Sequence, residues 1–166
     1  MMTFIESPAF TRRIAGLMSD PEYLMLEWDH RPLPGVLGGG SALFMQSANR
    51  SEDMFVFLKR QVGGLDASKT YVVAFEVEIA TDVPYGCPGI GSPPGEGVYV
   101  KGGAAAVEPR VVILGGRYEV TLEKGNQSRG GREAVVLGNI ATSRYCEDAY
   151  RYGYWELRPC AVAPAP

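Results

Sequence analysis

Glu76 and Glu78 stand two positions apart in a stretch that alternates like a β-strand. Residues i and i+2 of a strand point to the same side, roughly 6.5–7 Å apart at the backbone, which lies within the range used by two-carboxylate glycoside chemistry. Alternating glutamates also suit a plain solvated face, and that reading is favoured because nothing else a hydrolase needs accompanies them. With Asp82 or Glu96, the same pair offers carboxylates to a calcium ion. Calcium takes about six to eight oxygens, and no Asp-rich loop of the EF-hand type is present. No cofactor is therefore expected, with Ca2+ the one ion these residues leave open.

The single histidine, His30, follows Trp28 and Asp29. Without a second histidine or a Ser/Cys partner motif it reads as a surface loop residue and not as a catalytic base. Gly125-Asn126-Gln127-Ser128-Arg129-Gly130-Gly131-Arg132 lacks the Gly-Lys-Ser/Thr ending of a phosphate loop. It reads as a flexible hairpin loop in which Asn126 and Gln127 offer amides to a sugar. Tyr150, Tyr152 and Tyr154 would share one face of a strand, with Trp155 beside them. Such a stripe, above all Tyr152, Tyr154 and Trp155, can stack on a sugar, hold a protein partner or close the core. Core or partner contact is favoured over carbohydrate. No nucleophile, base and orienting group converge in any motif, so no catalytic residue and no enzyme is expected.

Cys87, Cys146 and Cys160 are too far apart for a metal knuckle of the CxxC type. One disulfide with a spare thiol, or three free thiols, both remain open; Cys87 with Cys146 is the candidate pair. A disulfide needs an oxidising compartment. The N-terminus has no basic start followed by a long apolar block, so it does not read as a signal peptide, and the chain as written is expected in the cytoplasm unless a leader has been lost.

These side chains need a scaffold, and the scaffold is the clearest message of the chain. Lys69–Ala80 places Tyr71, Val73, Phe75, Val77 and Ile79 on one face and Glu76 and Glu78 on the other, the period of a strand with one dry side. Further strands are expected at 41–47, 54–62, 97–101, 110–114, 117–123, 134–137 and 152–157, separated by Gly-, Pro- and Asn-rich turns. In 166 residues there are 21 Gly and 12 Pro, which favours many short strands over a helical bundle. The fold expected is mainly β, a jelly roll or β-sandwich spanning 28–158. A short helical N-terminal extension, 1–27, precedes it, because Ser7-Pro8 and Ser19-Asp20-Pro21 read as helix starts. A disordered tail, 159–166, follows. Apolar residues at 46% and charged residues at 21% match ordinary globular usage. A net charge of −3 with scattered basic residues argues against a nucleic-acid surface. No apolar run is long enough to span a membrane.

Three resemblances bear on function. From Glu27 to Tyr145 the chain resembles a family of uncharacterised bacterial secreted proteins or lipoproteins. The residues that carry this are Arg31-Pro32-Leu33-Pro34, Ser47 through Arg60, Gly64-Leu65-Asp66 through Ala80, Gly91 through Lys101, Lys124 through Ser128 and Val135-Val136-Leu137-Gly138. The resemblance implies export, with no activity attached. The Leu65–Ile79 stretch is also similar to an element of galactose-binding-like jelly-roll domains, which include carbohydrate-binding modules. Phe4 through Ile14 and Leu17 through Tyr23 resemble the start of a RelE/HigB-type toxin. Those toxins cut mRNA with basic residues on a later sheet, and no matching Arg/Lys cluster follows here. The expected function is a non-enzymatic binding, structural or accessory domain, with a protein or a carbohydrate as partner. A carbohydrate-binding module is the alternative, and an mRNA-cleaving toxin the remote one.

Overall fold

The computed structural model describes residues 2–5, 27–46, 54–149 and 154–162. The chain is mainly strand, arranged in small antiparallel sheets. β1 (Met2–Ile5), β2 (Glu27–Pro32), β3 (Ser41–Gln46), β4 (Phe75–Thr81) and β9 (Glu156–Val162) form a five-stranded sheet in the order β2-β3-β1-β4-β9. β5 (Tyr99–Gly103) pairs with β8 (Ala134–Asn139), and β6 (Val111–Leu114) pairs with β7 (Arg117–Val120). The β6–β7 hairpin turns on Gly115 and Gly116, both at positive φ (58° and 79°), as a two-residue primed turn needs. A single helical turn, α1 (Cys146–Ala149), lies between β8 and β9.

The core lies where β4 and β9 meet β5 and β8. Ile79 of β4, Cys160 of β9, Val100 of β5 and Leu137 of β8 are buried together with Ile140, and Phe75, Val77 and Val83 pack against them. Phe75, Val77 and Ile79 belong to one face of β4, so strand alternation is what points them at the β5–β8 pair. Close approach there requires glycine: a Cβ on Gly102 would sit 2.5 Å from the Phe75 ring. Glu76 and Glu78 point the other way and are exposed. At the opposite end of the sheet Ala42, Leu43, Phe44 and Met45 of β3 are buried in succession, hence on both faces, and the Arg31 guanidinium lies over the Phe44 ring.

Several expectations are corrected. Where a helical extension over 1–27 is expected, residues 2–5 form a strand of the main sheet, β1, between β3 and β4, and Glu27 opens β2; the helices expected within 6–26 fall outside the described residues. Residues 54–62, expected as a strand, take no place in a ladder among the described residues. Their aromatics satisfy each other instead, Phe55 stacking on Phe57 with ring centroids 5.7 Å apart. The dry strand begins at Phe75 and not at Lys69, because Tyr71 and Val73 remain exposed with no neighbouring strand among the described residues. The last strand starts at Glu156 and runs through Val162, pairing Phe75 with Val162 and Glu76 with Ala161, where a disordered tail from 159 was expected. Glycine 125 through Arg132 is not a hairpin loop, since β7 and β8 belong to different pairs.

Candidate functional site

The segment after β4 is sewn to the segment before α1. Thr81, fully buried, donates its hydroxyl to the Ile140 carbonyl at 2.7 Å and accepts from the Val83 N–H at 3.2 Å. The Thr142 N–H donates to the Val83 carbonyl at 2.7 Å, the Tyr85 N–H to the Arg144 carbonyl at 2.8 Å, and the Cys146 N–H to the Tyr85 carbonyl at 2.9 Å. Tyr85 and Tyr145 thereby form a parallel bridge. Two residues further on, Cys87 is disulfide-bonded to Cys146 with the Cα atoms 4.9 Å apart, and both cysteines are buried. Cys160 is the free thiol, and burial pushes its pKa up against a weaker opposing pull from Arg158.

The clamp faces outward with its tyrosines. The rings of Tyr85 and Tyr145 meet edge to face at 5.4 Å, yet are 46% and 63% exposed. An edge-to-face pair fixes each ring against the other while leaving ring surface open. Next to Tyr145, the Arg144 guanidinium lies 4.9 Å from the ring of Tyr154, which is also exposed. Ser143 donates through N–H and hydroxyl to Glu156, both at 2.8 Å, and Arg158 donates to the Ala141 carbonyl, which ties the start of β9 to the same ledge. Beneath the turn, the Gly86 N–H donates to Glu96 Oε1 at 2.8 Å, while Glu96 Oε2 is buried with no hydrogen-bond partner among the described residues.

The residues singled out from sequence scatter around this ledge. Tyr154 joins it, Trp155 is half-buried beside it, and Tyr152 lies outside the described residues. Glu96 supports the turn from below. Glu76 and Glu78 lie exposed on β4 and Asp82 is half-buried; among the described residues no three Asp, Glu, His or Cys side chains gather as a metal group. His30 is exposed on β2, its own N–H bonded to the Asp29 carboxylate at 2.7 Å. Asn126 spends its side-chain oxygen on the N–H groups of Ser128 (3.1 Å) and Arg129 (2.8 Å), and Gln127 is exposed on that loop.

The long irregular loop from Thr81 to Gly97, with Tyr85 in it, stands out in the sequence as a place for function, whereas Tyr145 and Arg144 do not. The signal was present in Tyr85-Gly86-Cys87 and Tyr145-Cys146, where each bridged cysteine follows a tyrosine closely. Of the toxin-like stretch, residues 6–23 lie outside the described residues. No helix among the described residues is long and apolar enough to cross a membrane. Comparison with protein-family models, curated proteins and solved structures gives no match for this chain.

Proposed function

We propose that the protein is a non-enzymatic binding domain of β-sandwich, jelly-roll type with a structural or accessory role, and that it recognises its partner through the tyrosine ledge. The observation that carries this reading is the exposed Tyr85–Tyr145 pair, held by a parallel bridge and a disulfide. Preordered aromatic rings beside a guanidinium are the usual makings of a binding hot spot, because little side-chain freedom is lost on contact. The covering of β4 and β9 by β5 and β8 supports the sandwich architecture. A buried disulfide supports an exported setting.

A protein partner is the first reading. Carbohydrate is the second, favoured by the grouping of exposed rings with the Arg144 guanidinium and the Ser143 hydroxyl, which suits stacking plus hydrogen bonding to a sugar. The test probes wild type and the Tyr85→Ala/Tyr145→Ala variant against a peptide array and in native gels cast with soluble polysaccharides. Peptide binding lost in a variant that keeps its melting temperature supports the first reading. Retardation by a polysaccharide, lost in the same variant and without release of reducing ends, supports the second. No signal that depends on the tyrosines overturns the ledge, and release of reducing ends overturns the non-enzymatic role.

A further inference from the structure

The stretch that leads into β4 has the composition of a strand and lies in no ladder among the described residues. Thr70-Tyr71-Val72-Val73-Ala74 carries β-branched and aromatic side chains without a charge or a proline. Tyr71, Val72 and Val73 are nevertheless 44%, 71% and 47% exposed. Among the described residues no backbone N–H or C=O of 70–74 takes part in a hydrogen bond. The bonds nearby belong to the preceding turn, where the Lys69 N–H donates to the Asp66 carbonyl at 3.1 Å and the Asp66 N–H to the Tyr71 hydroxyl at 2.7 Å.

The β4–β9 register fixes which backbone groups are open. β9 ends the main sheet and sets Pro159 opposite Glu78. A proline has no N–H, so within a sheet its nitrogen belongs on the open side of an edge strand. Opposed residues of an antiparallel pair alternate between bonded and non-bonded. Phe75, Val77 and Ile79 are therefore the residues that exchange bonds with β9. By the same alternation, Tyr71 and Val73 turn their N–H and C=O groups to that flank once β4 is extended back to residue 70. Continued past Val162, the register sets Pro164 opposite Val73 and Pro166 opposite Tyr71. Neither has a donor where the ladder needs one, so residues 163–166 are a poor mate for 70–74.

We infer that residues 70–74 pair with the same residues of a second copy of this chain, antiparallel and about a twofold axis at Val72. In that register Tyr71 stands opposite Val73 of the second copy, Thr70 opposite Ala74, and Val72 opposite itself. Tyr71 and Val73 then exchange N–H and C=O bonds across the axis, which satisfies the groups left open on this flank. Every side chain brought together is uncharged, so no like charges oppose one another, and an uncharged, β-prone edge is what self-pairing requires. Growth stops at both ends. Lys69 is held in the preceding turn by its N–H and by an ion pair to Asp66 at 3.6 Å, and the same flank of Phe75 is already filled by Val162. A twofold interface uses the same patch on both copies and closes as a dimer.

The test is analytical ultracentrifugation of wild type and Val72→Lys over a range of concentrations, with oxidation of Val72→Cys and Tyr71→Cys by glutathione disulfide. Expected is a wild-type dimer that dissociates on dilution. Val72→Lys sets two ammonium groups against each other at the axis and should weaken association roughly tenfold or more while still melting cooperatively. Val72→Cys should cross-link as a dimer, because its two Cα atoms lie about 4.5 Å apart across a non-hydrogen-bonded pair. Tyr71→Cys should not, since its two copies are offset along the strands. If Val72→Lys does not fold, the two cysteine variants decide. A wild type that is monomeric at every concentration shows the flank to be covered by the chain itself and overturns the inference. So do a dimer that Val72→Lys leaves intact, cross-linking as ready at 71 as at 72, and assemblies that grow beyond two copies.

Discussion

At the scale of single residues, the loop after β7 shows how one carboxylate replaces a missing strand partner. Glu123 accepts from the Arg132 N–H at 2.5 Å and from the Gly125 N–H at 3.3 Å. The Arg132 N–H holds the carboxyl below its ordinary 4.5, against desolvation that raises it, with Gly125 and the Arg132 charge adding to the lowering. A carboxyl whose folded pKa is depressed contributes stability that is fully present above the unfolded value and is lost as pH falls through the folded one. Glu123→Gln should therefore lower the urea midpoint at neutral pH, and its difference from wild type should shrink as pH drops below about 4.5 and vanish in strong acid. Urea titrations of both proteins across that range check it; a difference that stays constant with pH would assign the loss to packing instead. None of this was legible beforehand. Glu123 is one acidic residue among many in the sequence, and only closure of the loop brings two N–H groups to it.

Among the elements, the bridge between residues 83–87 and 142–146 has the largest energetic consequence. It closes a loop with a sequence separation of 59, for which chain entropy alone assigns about 4 kcal/mol to the disulfide. Reducing the protein, or replacing Cys87 and Cys146 together by serine, should lower the unfolding free energy by an amount of that order and release the Tyr85–Tyr145 pair, while Cys160→Ala should leave the redox effect on stability intact. Chemical unfolding with and without a dithiol reductant measures both; equal stability of the oxidised and reduced proteins would show that the backbone bonds of the bridge suffice. The cysteines were visible in the sequence as three positions with two readings. The candidate pair, Cys87 with Cys146, is the one that forms; that it forms at all was not legible, because positions 59 apart are brought together by the path of the chain through β5 and β8. The strand signal had the same limit. Residues 54–62 and 69–74 read as strand like Phe75–Thr81 does, yet among the described residues only the last lies between partners that extend its ladder.

On the scale of the whole molecule, stability rests on how closely the β5–β8 pair lies over β4 and β9. Gly102 gives way to the Phe75 ring, and Gly138 lies against Cys160, whose sulfur would be 3.4 Å from a Cβ added there. Gly102→Ala should force the Phe75 ring aside and cost about 1–3 kcal/mol, the usual penalty of overpacking, whereas Gly138→Ala, with ordinary contact distance available, should cost less. Urea unfolding of the two variants decides it; equal losses would locate the tight contact elsewhere. By itself, the sequence determined that this chain is mainly β, which strand carries the dry face at Phe75, Val77 and Ile79, and where tight turns such as Gly115-Gly116 must fall. Those properties follow from alternation and from backbone freedom, both local. Only the tertiary structure decided which strands become neighbours, that the first and last strands belong to the main sheet, which cysteines meet, and that Lys101 lies within the 123–133 loop. Each of these depends on contacts between residues distant in the chain, and no period or propensity encodes the partner across that distance.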